Sequence, residues 1–190
     1  MKKSTRTLPG NENILNGRIL NIGCGDKFEI GSDFVDLYPA RKDVLKCDMN
    51  TDPLPYPDGT FDVVYTASLI EHLHEPSHLF TEAYRVLKKG GKFVLRTDNP
   101  SYIFLHLPLG SMYDGNYSST HGDDDRHYML FTRSHLLTWA EKFGFRNAHV
   151  TYSHFFGYND TSLRKFAKAI IHKVLPARFS ALHLVLEAEK

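Results

Sequence analysis

The sequence predicts an α/β fold, a mostly parallel sheet covered on both faces by helices. Three observations predict it. Short apolar runs alternate along the chain with stretches of helical spacing. One run, Ile19-Leu20-Asn21-Ile22, ends abruptly in Gly23-Cys24-Gly25, as a buried strand does when it delivers a tight turn at its carboxyl end. The 190 residues, 42% apolar and 24% charged, suffice for one domain with a sizeable core. No linker, repeat or low-complexity tract divides the chain, so 1–190 reads as a single domain.

Residues 1–17 are polar, with turns at Pro9-Gly10 and Asn16-Gly17, and are expected to form a loose arm with at most a helical turn. The first strand is 18–22. Residues 26–32 are too few for a full crossover helix. Asp33 to Leu37 reads as a second strand and Asp43 to Asp48 as a short third, each ending in an acid. Three prolines forbid regular structure over 52–59, and Phe61 to Thr66 is a buried strand. Pro76 suits the first turn of a helix whose Leu79, Phe80, Ala83, Val86 and Leu87 share one face. Lys88-Lys89 are expected in its last turn, with Gly90-Gly91 as the stop. Residues 92–96 form another strand, and 98–131 have no clear period. Thr132 caps a helix that buries Leu136, Leu137, Ala140 and Phe143 and stops at Gly144. A strand over 148–153, an amphipathic helix over 160–175 and a strand over 182–188 close the chain.

Composition excludes several classes. A formal net charge of +1 supplies no global attraction to nucleic acid or membrane. Two cysteines, Cys24 and Cys47, make no disulfide framework, which suggests a reducing, cytoplasmic setting. The basic start is not followed by an apolar stretch of leader type, and no run approaches a membrane span.

Three features line up in order. A glycine turn follows the first strand, Asp36 ends the second, and Asp48 follows the third. A carboxylate in the Asp36 position can accept both hydroxyls of a ribose. One in the Asp48 position can accept from an exocyclic amine such as that of adenine. Together they describe a pocket for an adenosine whose substituent lies over the glycine turn. A nicotinamide dinucleotide fits less well, because Gly23-Cys24-Gly25-Asp26-Lys27-Phe28 lacks the last glycine of G-x-G-x-x-G.

With these residues in view, the sequence resembles the class I S-adenosylmethionine-dependent methyltransferases, in particular the small type 11 methyltransferase domains. Ile19 to Gly25 is similar to the family's first motif, and Leu54 to Val64 to its loop into the fourth strand. Glu71-His72-Leu73, Arg85-Val86-Leu87-Lys88-Lys89-Gly90-Gly91, and His127 through Phe145 resemble its later signatures. The resemblance covers about residues 18–150. It implies a Rossmann-like seven-stranded sheet ordered 3-2-1-4-5-7-6 with the last strand antiparallel. It implies S-adenosylmethionine as the methyl donor. Gly23, Cys24 and Gly25 would pack on its methionine part, Asp36 with Leu37 would take the ribose, and Asp48 and Met49 would flank the adenine. The backbone of Thr66, Ala67 and Ser68 would line the site beside the sulfonium. Two departures stand out: Asn21 replaces the usual acid and Lys27 the third glycine. Lys27 or Arg18 is then expected to supply the charge that holds the methionine carboxylate.

On the acceptor side, residues 98–131 leave the sheet at the edge that carries the cofactor loops, and are expected to cap the site and select the acceptor. They hold Tyr102, His106, Tyr113, Tyr117, His121, His127 and Tyr128. His127 is the preferred base candidate and His72 the second, since an imidazole titrates near neutral pH. Asp98-Asn99-Pro100-Ser101-Tyr102 resembles the Asn/Asp-Pro-Pro-Tyr motif of amino-group methyltransferases, but follows the fifth strand rather than the fourth and reads as a turn. His121, Asp123, Asp124, Asp125 and His127 read as a solvated acidic loop, and no metal is expected. Arg164, Lys165, Lys168 and Lys173 lie opposite the apolar stripe of the 160–175 helix; contact with a membrane surface is the less favoured reading. The expected activity is methyl transfer to a small-molecule or glycan-like acceptor. The alternatives are an RNA methyltransferase, for which no RNA-binding module or basic surplus is seen, and a non-catalytic domain that binds S-adenosylmethionine as a regulator.

Overall fold

A computed structural model of the chain describes residues 6–8, 11–25, 31–103, 127–154, 170 and 173–190. Seven strands form one sheet: β3 (Ile19–Ile22), β4 (Asp33–Asp36), β5 (Val44–Lys46), β6 (Phe61–Ala67), β7 (Leu87–Asp98), β8 (Arg146–Ser153) and β9 (His183–Glu189). Their order is β5-β4-β3-β6-β7-β9-β8, the 3-2-1-4-5-7-6 expected from the sequence. The first five run parallel, and β9 is antiparallel to both β7 and β8. β1 (Arg6–Leu8) and β2 (Asn11–Leu15) pair as a separate antiparallel ribbon. This corrects the expectation of a loose arm. The ribbon rests on a backbone ladder and shows little apolar alternation, the signal by which a strand is recognised.

Among the described residues, two helices pack on one face of the sheet. α1 (Pro76–Val86) places Leu79, Phe80, Ala83 and Val86 against Leu20, Ile22, Val64 and Phe93. α2 (Arg133–Lys142) adds Leu136 and Ala140 to the same core. The Thr132 hydroxyl accepts from the backbone N–H of His135 while the His135 ring accepts from the Thr132 N–H, a reciprocal cap. Between the helices Phe80 stands edge-on to Phe93 and stacks on Phe143, with centroids 5.5 and 5.6 Å away. Ile19, Val63, Tyr65, Val94 and Val185, which alternate with the first set along their strands, are buried on the opposite face.

The end of α1 differs from its sequence reading. The helix stops at Val86, and Lys88 and Lys89 belong to β7. Leu87 is fully buried opposite Phe61, so the chain turns into the sheet one residue before the lysines. Burial of that leucine outweighs the favourable placing of cations at a helix end. The remaining strand limits agree with the sequence to within two residues or so. The helix expected over 160–175 lies mostly outside the described residues; Arg164, Lys165 and Lys168 fall there, as do Lys27, His106, Tyr113, Tyr117, His121 and Asp123 to Asp125.

The proline-rich segment before β6 is fixed by side chains. Glu82 on α1 accepts from the Leu54 N–H at 2.7 Å and is paired with Arg85, also at 2.7 Å. Arg85 donates in turn to the Leu54 and Tyr56 carbonyls and to Asp58. The loop thus finds on α1 the partners its prolines cannot provide. Arg85→Ala should strand a buried carboxylate and two carbonyls, at a cost of about 2 kcal/mol. Thermal unfolding should fall by roughly 4–8 °C; an unchanged melting temperature would show the loop to be held by packing alone.

Candidate functional site

In an open α/β sheet ligands collect at the carboxyl ends of strands, where the strand order reverses. Here that point lies between β3 and β6, because the chain runs outward to β4 and β5 on one side and to β7 on the other. A cleft of about 920 Å³ opens there, lined after β3 by Gly23 and Gly25 and after β4 by Asp36 and Leu37. Asp48 and Met49 line it after β5, and Ser68 after β6, with Leu69, Leu73 and His72 closing the side.

The glycine turn needs its glycines. Gly23 and Gly25 have φ of +67° and +55°. A Cβ on Gly23 would come within 3.0–3.2 Å of the Leu69 side chain, whereas one on Gly25 would meet no atom within 4 Å. Asp36 fastens the turn. Its Oδ2 accepts from the Gly25 N–H at 2.8 Å and its Oδ1 from the Tyr38 N–H at 2.9 Å. Each oxygen keeps a lone pair for a ligand hydroxyl. Asp48 accepts through Oδ1 from the backbone and side-chain nitrogens of Asn50. Asn50 was not singled out from the sequence, yet its Oδ1 accepts from the N–H groups of His74 and Glu75, just ahead of α1. Ser68 sits at φ +52°, a strained position for a non-glycine residue at the cleft wall.

Four expected site residues, Cys24, Thr66, Ala67 and His127, are not among those that line the cleft. Cys24 is buried with Phe34 and Val44, and Thr66 and Ala67 end β6 behind Ser68. Burial pushes both thiols, Cys24 and Cys47, up to about 11, so neither is a nucleophile near neutral pH. The expectation for Arg18 is corrected. It precedes β3, at the opposite end of the strand from the cleft, and is clamped by two hydrogen bonds to Asp33 while lying over the Phe61 ring.

At the far side of the cleft a polar cluster lies beneath the surface. Ile70–His72 is a short 3-10 turn after β6 that carries Glu71 and His72. The end of the 98–131 segment docks on it through the Tyr128 N–H, which donates to the Glu71 carbonyl at 2.8 Å. His127 then stands edge-on to His72, with ring centroids 4.6 Å apart, and Tyr128 rests on His74. Behind them Asp98 ends β7, 3.9 Å from His127 Nδ1 and 3.7 Å from His183 Nε2. The Thr97 hydroxyl donates to Glu71 Oε2 at 2.9 Å. The sequence flagged His72 and His127 but not Glu71, Asp98 or His183 as members of one cluster. A histidine opening the apolar run His183-Leu184-Val185-Leu186 was the available signal. Asn99 is structural: its amide donates to the Arg178 and Ala181 carbonyls, which agrees with the reading of 98–102 as a turn.

Residues 30–95 match the family model described as a methyltransferase domain. A solved S-adenosylmethionine-dependent methyltransferase from Archaeoglobus fulgidus superimposes with a TM-score of 0.62 at 21% identity, over 91% of this chain and 86% of that one. This is a class I methyltransferase fold. Among curated relatives, a Mycolicibacterium smegmatis protein named "Probable S-adenosylmethionine-dependent methyltransferase" is 42% identical over an alignment of 97 residues that covers 43% of this chain and 38% of that protein. The ubiquinone biosynthesis O-methyltransferase of Coxiella burnetii is 30% identical over 97 residues, covering 50% of this chain and 40% of the enzyme. The matches thus span about two fifths of the length of these relatives. The family match takes in the loops of Asp36, Asp48, Ser68 and His72 and leaves the His127 segment outside it.

The cluster in this methyltransferase fold fixes how stability depends on pH. Burial, reinforced by the Asp98 charge, pushes the Glu71 carboxyl from 4.5 up to about 8. The native state holds this proton where the unfolded chain has lost it, so the contribution is complete below pH 4.5 and disappears as pH rises toward 8. The imidazoles act oppositely. Burial and then His72 push His127 from 6.5 down to about 4, and burial and then Arg96 push His183 down to about 3. The unfolded chain takes up those protons first, so stability falls as pH drops below 6.5. Below that value two histidines outweigh one glutamate; above it Glu71 acts alone. Maximum stability is therefore expected near pH 6.5. Glu71→Gln should remove the decline between pH 6.5 and 8, read by urea denaturation at stepped pH. The same slope in the variant would assign the decline to other groups.

Proposed function

We propose that the protein is an S-adenosylmethionine-dependent methyltransferase acting on a small-molecule acceptor, with a glycan-like molecule included in that class. The observation that carries this reading is the Asp36 carboxylate fastened across the glycine turn at the point where the strand order reverses. The residues present fit an adenosyl group. Asp36 retains lone pairs for two ribose hydroxyls, Asp48 and Met49 flank the space beside them, and Gly25 leaves the turn open. S-adenosylmethionine supplies a methyl carbon on a sulfonium. When bound it would give that methyl carbon to the acceptor's nucleophile, its carbon–sulfur bond breaking as the new bond forms, and the chain would have to align the two and take up the acceptor's proton.

The chain's part is alignment and proton handling. Ser68 would face the transferring end, with Thr66 and Ala67 behind it, and Gly23 and Gly25 would support the methionine part, with Cys24 buried between them. His72 lines the cleft, and His127 stands edge-on to His72 from the 98–131 segment, which we take to be the acceptor cap. His127 is the base candidate: burial keeps it neutral but lowers it to about 4, so it suits a proton made acidic as the acceptor's nucleophile bonds to the methyl carbon. The Coxiella relative is named for O-methylation in ubiquinone biosynthesis, which supports a small acceptor. Among the described residues no helix is long and apolar enough to cross a membrane.

Two measurements test this. Asp36→Ala removes an acceptor of charge-assisted hydrogen bonds worth about 1.5–3 kcal/mol each, so calorimetry should show S-adenosylmethionine affinity reduced about ten-fold or more. Unchanged affinity in a folded variant would place the ribose elsewhere. With an acceptor found by screening metabolites against labelled cofactor, His127→Ala should lower turnover about 100-fold while cofactor affinity holds. Full activity would remove His127 from the chemistry.

A further inference from the structure

The cluster beside the cleft contains a carboxylate and two imidazoles whose donor atoms lie within 4.8 Å of one another: Glu71, His72 and His127. They come from two places in the chain, 56 positions apart at the outermost (127 − 71), and the Tyr128 N–H to Glu71 carbonyl bond locks the two segments together. We propose that these three side chains form a binding site for one divalent first-row transition cation, such as Zn²⁺, Mn²⁺ or Co²⁺.

Four observations carry this. First, the set combines two nitrogen donors with one oxygen donor, which suits such cations better than the all-oxygen shells of magnesium and calcium. Second, Glu71 is 1% exposed, and its Oε1 has no hydrogen-bond partner among the described residues, while Thr97 holds Oε2. A buried polar oxygen with no partner is costly, and a cation that takes the place of the Glu71 proton relieves that cost. Third, Asp98 Oδ2 lies 3.9 Å from His127 Nδ1, so a second carboxylate stands close behind the cluster and adds to its attraction for a cation. Fourth, His72 lines the cleft, so a cation here would have its remaining coordination positions toward the space where an acceptor enters.

The site is independent of the methyltransferase reading; only its use rests on that reading. A cation at this place would bind an acceptor hydroxyl and make its proton easier to lose, the proton then passing to water at the open cleft rather than to His127. The two imidazoles would then serve as ligands, and His127→Ala would lower turnover by loss of the cation.

The test uses the full chain without S-adenosylmethionine or acceptor, so its failure is separate from failure of the proposed reaction. After treatment with a chelator and its removal, the protein is titrated with Co²⁺, read by visible absorption, and with Zn²⁺ and Mn²⁺, read by calorimetry. One ion per chain is expected, with affinity reduced at least ten-fold in each of Glu71→Gln, His72→Ala and His127→Ala. Circular dichroism checks folding; His72→Ala, at the partly exposed member, keeps the test open should the buried substitutions unfold the chain. No saturable binding would overturn the proposal. So would equal affinity in folded variants, which would place an adventitious ion on other histidines.

Discussion

The site depends on one interaction above all, the Asp36 carboxylate across the glycine turn. Gly23 and Gly25 bend the chain into a conformation that exposes backbone N–H groups, and these need acceptors. The Gly23 N–H finds the Val35 carbonyl and the Gly25 N–H finds Asp36. Both acceptors come from the neighbouring strand, so the turn's shape follows from the parallel register of β3 and β4. The same carboxylate faces the cleft. One side chain therefore holds the turn and presents charge to a ligand, and the fold and the binding surface cannot be altered independently at this position.

How much of this was legible in the sequence varies with the physics of each part. The buried parallel strands were plain, because Ile19 to Ile22 and Phe61 to Thr66 are apolar runs closed by turn residues. Asp36, Asp48 and the glycines stood out as acids and turns at strand ends. The end of α1 was misplaced because the pull of a fully buried Leu87 into the sheet depends on Phe61, a tertiary partner that local propensity does not contain. Arg18 was misassigned for a similar reason: charge is visible in sequence, but which end of a strand it occupies relative to a ligand is not. The β1–β2 ribbon carries too little apolar pattern to be seen.

The cluster behind His72 was the hardest part to anticipate. Its members lie at positions 71, 72, 98, 127 and 183, and no spacing rule links them. They meet because β7 and β9 are neighbours in the sheet, with Asp98 directly opposite His183, and because the 98–131 segment returns to the turn that follows β6. Pairing of β7 with β9 is a property of sheet order. Once the order is known, the meeting of Asp98 and His183 follows; without it each looks like an isolated polar residue near a strand end.

The turn after β6 connects the two halves of the cleft. Ser68 at its start, in a left-handed conformation, lies beside the glycine turn, and its N–H is held by the Arg96 carbonyl of β7. Three residues later Glu71 is anchored to Thr97 of the same strand, and His72 faces the cleft. β7 therefore fixes both ends of this short turn. Movement of one end relative to the other would break a buried hydrogen bond, at about 1–3 kcal/mol. A rigid spacer of this kind is what an in-line transfer between two bound molecules requires, since a small error in separation or angle is costly in rate. The strain at Ser68 is explained on the same ground: its conformation lets the chain leave β6 and still return a carboxylate and an imidazole to the cleft's edge within four residues.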